Sequence, residues 1–311
     1  MRFIDRGEVE RRLTYEVCIP LVREAMIAFS AGQTRQLLRS IIPVAKGVLG
    51  LMPGALADDG PFGAKLISVY PGNFDLGRPS HQGVIVLFEP STGATAAIVD
   101  AREVTAIRTA AASAVATDAL ARADASRLGI LGYGEQATTH ARAISKVRRL
   151  ERIGVWGRSA ERAADFCRRM QAELGLPFAP YADAQSLAAA SDILCTVTLA
   201  SEPVLKGAWV QPGTHVNLVG SGAAGPVEVD NDLVVRSRFI ADSREGVLAQ
   251  GAEFLRARQA GLIGEDHIVA EIGEVLAGKV PGRRTADEIT AYKSLGHVVQ
   301  DLASAWWLCS T

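Results

Sequence analysis

Residues 129–143 read GILGYGEQATTHARA and set Gly132, Gly134 and Ala137 at Gly-x-Gly-x-x-Ala spacing, directly after the apolar run Arg127 to Leu131. The spacing suits a dinucleotide pyrophosphate. The first glycine allows a tight turn, the second lets the backbone approach the phosphates, and the alanine keeps the following helix close to the sheet. Glu135 and Gln136 complete the turn, and the helix start offers unpaired N–H groups and the positive end of its dipole. The next strand pattern, RIGVW, ends in Gly157-Arg158-Ser159 rather than in an acid. A carboxylate there would hold the ribose 2′-OH of NAD and repel a 2′-phosphate, whereas an arginine and a hydroxyl do the reverse. Arg158 and Ser159, helped by Arg162, therefore predict NADP(H), with NAD(H) the other possibility; the plainer reading makes Arg158 a solvated loop residue.

Three cations outside this segment hold informative positions. Arg39 and Lys65 fall inside half-apolar strand patterns, where a charge is expected to face outward or be paired. Arg108 precedes Thr109 and a run of alanines that allows close backbone approach. A second glycine-rich stretch, VGSGAAGP at 219–226, follows an apolar run but leads into Pro226 and Glu228 rather than a helix. It reads as the rim of a site at a strand end, not as a phosphate loop.

The elements that must carry these residues differ along the chain. Residues 14–32 place Val17, Leu21, Ala25 and Phe29 on one helical face, ending at Gly32. QLLRSII, VLGLMP, GAKLISVY, GVIVLF and TAAIVD, separated by clusters such as PGNFD and EPSTGA, read as an antiparallel sheet. From about residue 115, short buried strand patterns alternate with longer helical ones, which argues for a doubly wound parallel sheet. The tail TAYKSLGHVVQDLASAWWL reads as helix.

Composition narrows the function classes. A net charge of −1 provides no field for nucleic acid or an anionic membrane, and 48% hydrophobic with 22% charged residues is ordinary for a soluble chain. The basic cluster Lys146, Arg148, Arg149 reads as a solvated helix end. The opening MRFIDRGEVERR lacks an export signal. Cys18, Cys167, Cys195 and Cys309 lie far apart, as in a reduced, cytoplasmic protein, and the histidines show no zinc spacing.

The chain resembles the ornithine cyclodeaminase and mu-crystallin family over nearly its whole length. The matching stretches are the Met52-Pro53 turn, AKLISVYPGN, RPSHQGVIVLFEPSTGA, AIRTAAASAVAT, GYGEQA, VWGRS, VNLVGSGAAGPVEVD and YKSLGHVVQDLA. The resemblance implies a mixed α+β domain, 1–114 with 293–311, that binds substrate and builds a homodimer. It implies a Rossmann-type dinucleotide domain over 115–292. It also implies that Arg39, Lys65 and Arg108 surround a small amino or imino acid, with Arg108 clamping its carboxylate in bidentate fashion. Ser80 and His81 are expected near the same pocket, and Thr196, Val219, Ser221, Ser294 and Gly296 around the nicotinamide half of the cofactor.

Members of that family either cyclise ornithine to proline with loss of ammonia, reduce cyclic ketimine carboxylates, or dehydrogenate amino acids; some serve as binding proteins. The cyclodeaminases carry an aspartate in the loop matching GSGAAGP, and here Gly222 stands at that position. Glycine can neither hold a distal amino group nor exchange its proton. With the NADP(H)-like Arg158-Ser159, this predicts a reductase of pyrroline-2-carboxylate or piperideine-2-carboxylate, with Lys65 the first and His81 the second choice for proton handling. Loops such as PGNFDLGRP are expected to set the substrate preference.

Overall fold

The computed structural model describes residues 1–73, 76–222 and 224–311. Phe74 and Asp75 fall outside that set, and with them the centre of the PGNFDLGRP loop expected to shape substrate preference. The chain divides into two compact units, Met1–Arg108 with His297–Thr311, and Thr109–Gly296.

The first unit holds a seven-stranded sheet built from β1 (Arg2–Ile4), β2 (Arg35–Gln36), β3 (Ser40–Val44), β4 (Gly47–Ala55), β5 (Phe62–Val69), β6 (His81–Phe88) and β7 (Thr95–Asp100). The order is β1-β7-β6-β5-β4-β2, with β3 also on β4. All pairs are antiparallel except β1 with β7. Helices α1 (Arg6–Arg12) and α2 (Tyr15–Ser30) precede the sheet, and the unit boundary falls inside α3 (Ala101–Leu120). The buried stripe of α2 is Cys18, Val22, Ala25 and Met26, mostly one residue on from the face its sequence suggests.

Period-2 alternation gives β5 a buried face of Gly63, Lys65 and Ile67. The helix of residues 298–310 lies on it, packed against β4, β5, β6 and α2. Two glycines permit this approach. Gly54 and Gly63 are cross-strand partners. A Cβ on Gly54 would stand 2.8 Å from Val298, and one on Gly63 would strike the Val86 carbonyl and press on Leu302. The helix buries Val298, Leu302, Ala305 and Leu308 at helical spacing. Asp301, fully buried, interrupts that apolar stripe directly above the strand that carries Lys65.

The second unit is an eight-stranded sheet of β8 (Arg127–Leu131), β9 (Arg152–Trp156), β10 (Phe178–Pro180), β11 (Ile193–Thr196), β12 (His215–Leu218), β13 (Arg238–Ala241), β14 (Ile268–Glu271) and β15 (Thr290–Lys293). Its order is β10-β9-β8-β11-β12-β15-β13-β14, parallel throughout. This is the α/β, Rossmann-type sheet that the alternating pattern predicts. Helices α4 (Glu135–Ile144), α5 (Ala160–Leu174), α6 (Ala184–Ala189), α7 (Asn231–Arg236), α8 (Arg244–Gln250), α9 (Ala252–Gln259) and α10 (Ile272–Leu276) connect the strands. They bury two apolar clusters, one around Ile130, Ile153 and Phe166 and one around Val216, Phe239 and Phe254.

One sequence reading is corrected. TAYK is not the start of the last helix but β15, an interior strand between β12 and β13. Its four residues are all buried, so it shows no alternation that could separate strand from helix. The chain then turns at Gly296 (φ 81°), and α11 (Val298–Ser310) begins with His297 as its cap. Among the described residues no helix is long and apolar enough to cross a membrane, and no group of three or more His, Cys, Asp and Glu is placed to hold a metal.

Candidate active site

In the second unit the strand order reverses between β8 and β11, where ligands bind in open α/β sheets. Gly132 leaves β8 with φ 122°, and a Cβ there would stand 2.8 Å from the Val197 carbonyl, so only glycine makes this turn. Gly134 caps α4 without a side chain, and nothing lies within 4 Å of where its Cβ would be. That opening, at the positive end of the α4 dipole, fits a pyrophosphate. Glu135 and Gln136 form that turn, the former exposed and the latter partly buried. Ala137 is fully buried against the sheet.

At the end of β9, Gly157 makes room for the Tyr133 ring, which a Cβ would meet at 2.2 Å. Ser159 caps α5, its Oγ accepting the Arg162 N–H at 3.3 Å. Arg158 and Arg162 are exposed. The cap bond occupies one lone pair of the Ser159 hydroxyl and leaves its O–H available.

The ends of β11 and β12 are tied together by Glu228, a buried carboxylate absent from the sequence-based site. Its oxygens accept from Thr196 Oγ1 (2.7 Å), from Thr198 N and Oγ1 (2.6 and 2.7 Å), and from Gly220 N (2.7 Å). Burial pushes its pKa up in spite of the bonds from Thr198 and Thr196. Thr196 therefore turns its hydroxyl to Glu228, while Val219 bonds the Thr196 carbonyl through its backbone (3.1 Å).

Ser221 is likewise committed inward. Lys293 Nζ donates to the Ser221 carbonyl (2.7 Å) and Oγ (2.6 Å) and pairs with Glu253 (2.8 Å), and the Ser221 hydroxyl bonds Glu253. Burial raises the Glu253 pKa, but the Lys293 ammonium and the hydrogen bonds outweigh it and the net direction is down. The Gly296 N–H donates to Asp242 at 2.8 Å, and burial pushes that carboxyl up to about 6. Ser294 differs: its buried Oγ has no partner among the described residues.

The first unit brings together the three cations. Lys65, 2% exposed, donates to Asp301 Oδ2 at 2.8 Å and more weakly to Thr105 at 3.4 Å. Arg108, 3% exposed, donates through Nε to Asp301 Oδ1 (2.9 Å) and through Nη1 to Gln300 (3.1 Å). Its Nη2 has no partner among the described residues. Burial and then the Arg108 charge depress the Lys65 ammonium to about 7, against the pull of Asp301; Arg39 adds to the depression. Asp301 is held below the usual carboxylate range, because Arg108 and Lys65 overcome its burial. One buried carboxylate thus anchors two cations and leaves donors over, an arrangement suited to a second carboxylate, that of a ligand.

His81 stands apart from this group. It pairs with Val69, on the same face as Lys65 but about 13 Å farther along β5 at ~3.3 Å per residue. Its Nδ1 meets Ser80 Oγ at 2.9 Å. Sequence reasoning missed Asp301, Lys293 and Glu253. The available signal was a lone charge inside an apolar pattern, as in VVQDLAS and TAYKS.

Residues 2–310 match the model of the ornithine cyclodeaminase/mu-crystallin family. The chain is 35% identical over 309 residues to the mouse ketimine reductase mu-crystallin, covering 97% of this chain and 95% of the mouse protein. The Delta(1)-pyrroline-2-carboxylate reductase of Thermococcus litoralis, solved with NADH and L-proline, superposes with a TM-score of 0.96 at 36% identity, covering 100% of this chain and 97% of that one. An archaeal alanine dehydrogenase dimer with bound NAD superposes at 0.93 with 29% identity, covering 100% and 95%.

Proposed function

Because the chain belongs to the ornithine cyclodeaminase/mu-crystallin family, we propose that it is an NAD(P)H-dependent reductase of cyclic ketimine carboxylates such as pyrroline-2-carboxylate or piperideine-2-carboxylate. The observation that carries this is the buried group of Lys65, Arg108 and Asp301, with Arg108 Nη2 left for the substrate carboxylate. Similarity to the mouse ketimine reductase and to the Thermococcus litoralis enzyme supports the same reading.

In this reading the second unit holds the dinucleotide. Gly132, Gly134 and the first turn of α4 take the pyrophosphate, Ser294 offers a hydroxyl, and Val219, Gly220 and Ser221 present backbone. The nicotinamide cofactor supplies the hydride. Arg158, Ser159 and Arg162 favour NADPH over NADH. An equilibrium titration in which NADH binds as tightly as NADPH would remove that preference.

In the first unit Arg108, with Arg39 nearby, holds the substrate carboxylate. Lys65, poised near neutrality, supplies positive charge or a proton at the imine. A protonated iminium needs little further acid, so a missing carboxylate at position 222 does not obstruct reduction. It does remove the group that would hold a distal amine, which disfavours ornithine cyclodeamination.

The proposed assembly is a homodimer. The outer face of the first unit's sheet exposes Ile42, Leu49, Leu51, Phe62 and Leu66, an apolar surface that a second copy would cover. Loss of NADPH absorbance with the two imines tests the reaction. Ornithine with NAD should yield no proline or ammonia; turnover of ornithine without turnover of the imines would replace this reading.

A further inference from the structure

His297 caps α11 one turn ahead of Asp301. Its ring rests against Phe29, with centroids 4.2 Å apart. The charges of Asp301, Arg108 and Arg39 all act on it, which places the imidazole in the neighbourhood of the carboxylate clamp. Within that setting Nδ1 is shut off from solvent and has no hydrogen-bond partner among the described residues. Buried polar atoms in folded proteins are nearly always paired, so an unpaired buried ring nitrogen one helical turn from the Asp301 that anchors Arg108 points to a partner that arrives with the ligand.

Resting on the carboxylate clamp proposed above, we infer that His297 is a substrate-binding residue whose Nδ1–H donates to the carboxylate of the bound imino acid, alongside Arg108. A carboxylate only accepts, so Nδ1 must carry the proton. Burial, reinforced by Arg108 and Arg39 and opposed by Asp301, holds the ring neutral, its pKa pushed down to about 4. A neutral donor adds a hydrogen bond without bringing a fourth cation beside Lys65, Arg108 and Arg39. Arg108 Nη2 then takes one carboxylate oxygen and His297 either shares it or takes the other, so the acid is held by groups from two elements, α3 and α11.

The test uses the full-length protein and pyrrole-2-carboxylate, a planar acid that cannot be reduced as an imine. Its Kd is measured by calorimetry, alongside the KM for pyrroline-2-carboxylate. His297→Asn keeps a donor near the place of Nδ1, whereas His297→Phe keeps the packing on Phe29 and removes the donor. Loss of a hydrogen bond to a charged group should raise Kd and KM roughly tenfold or more in the Phe variant. The Asn variant should stay within about threefold of the parent. NADPH affinity and thermal midpoint report whether each variant is folded. Should the Phe variant fail to fold, His297→Gln, whose amide falls nearer the place of Nε2, provides the same contrast with Asn. Equal binding by the Phe and parent proteins, or equal loss in Phe and Asn, would reduce His297 to a packing residue. That failure is separable from failure of the reductase reading, which shows as a parent protein that oxidises no NADPH with any cyclic imine.

Discussion

Each unit contains a lysine buried against an acid, and the two pairs are finished differently. Lys293, fully buried, donates to the Ser221 carbonyl and the Ser221 hydroxyl and forms an ion pair with Glu253 at 2.8 Å. Lys65 has one strong acceptor, Asp301, and a weak one in Thr105, and it lies beside a guanidinium whose Nη2 is unused. Both lysines bear the cost of desolvation, which a pair recovers only with good geometry and satisfied hydrogen bonds. The Lys293 pair ties down Ser221 through both its carbonyl and its hydroxyl. An unsaturated pair leaves charge directed at whatever enters.

The largest effect separating the two is expected in stability. Lys293→Met strands the Glu253 carboxylate and should cost about 3–5 kcal/mol, read from a denaturant midpoint. Lys65→Met leaves Asp301 still paired with Arg108, so the fold should lose much less. A similar loss in both variants would erase the distinction drawn between them.

The second expectation concerns turnover. Lys65→Met should lower the rate of imine reduction on the order of 100-fold or more while NADPH binding persists. Unchanged turnover would remove Lys65 from the reaction.

The third is a pH effect. A lysine with its pKa near 7 carries its proton below that value and loses it above. If the cationic form is required, kcat/KM for reduction should fall about tenfold per pH unit above roughly 7. Lys65→Arg cannot titrate in this range, so the descending limb should disappear with it; a limb that stays in place belongs to another group.

The sequence made some of this legible and concealed the rest. The parallel sheet could be read because β8, the Gly132–Ala137 turn and α4 are consecutive, so strand, turn and helix carry local signals. Lys65 and Arg108 were reached through family resemblance, since a cation in a strand pattern or before an alanine run has more than one meaning. Asp301 was out of reach, because its partners are 236 and 193 positions away and a single acid in an apolar helix has no spacing to read. Lys293 was hidden in the same way, inside a strand too short and too buried to show a period. The inward turn of Ser221 follows from Lys293 and Glu253 and could not be foreseen without them.

The glycine floor beneath α11 bears on how the protein is made. Gly54 and Gly63 leave a shallow bed that stays empty until Val298 and Leu302 fill it, and Lys65 in the adjoining register stays without its counter-ion until Asp301 arrives. During synthesis at about 5–20 residues per second, residues 109–296 occupy the ribosome for on the order of 10 to 40 s. The second unit, continuous in sequence, can close during that interval. The first is completed only by residues 297–311, so the sheet face that carries Lys65 stays uncovered until the end of the chain is made.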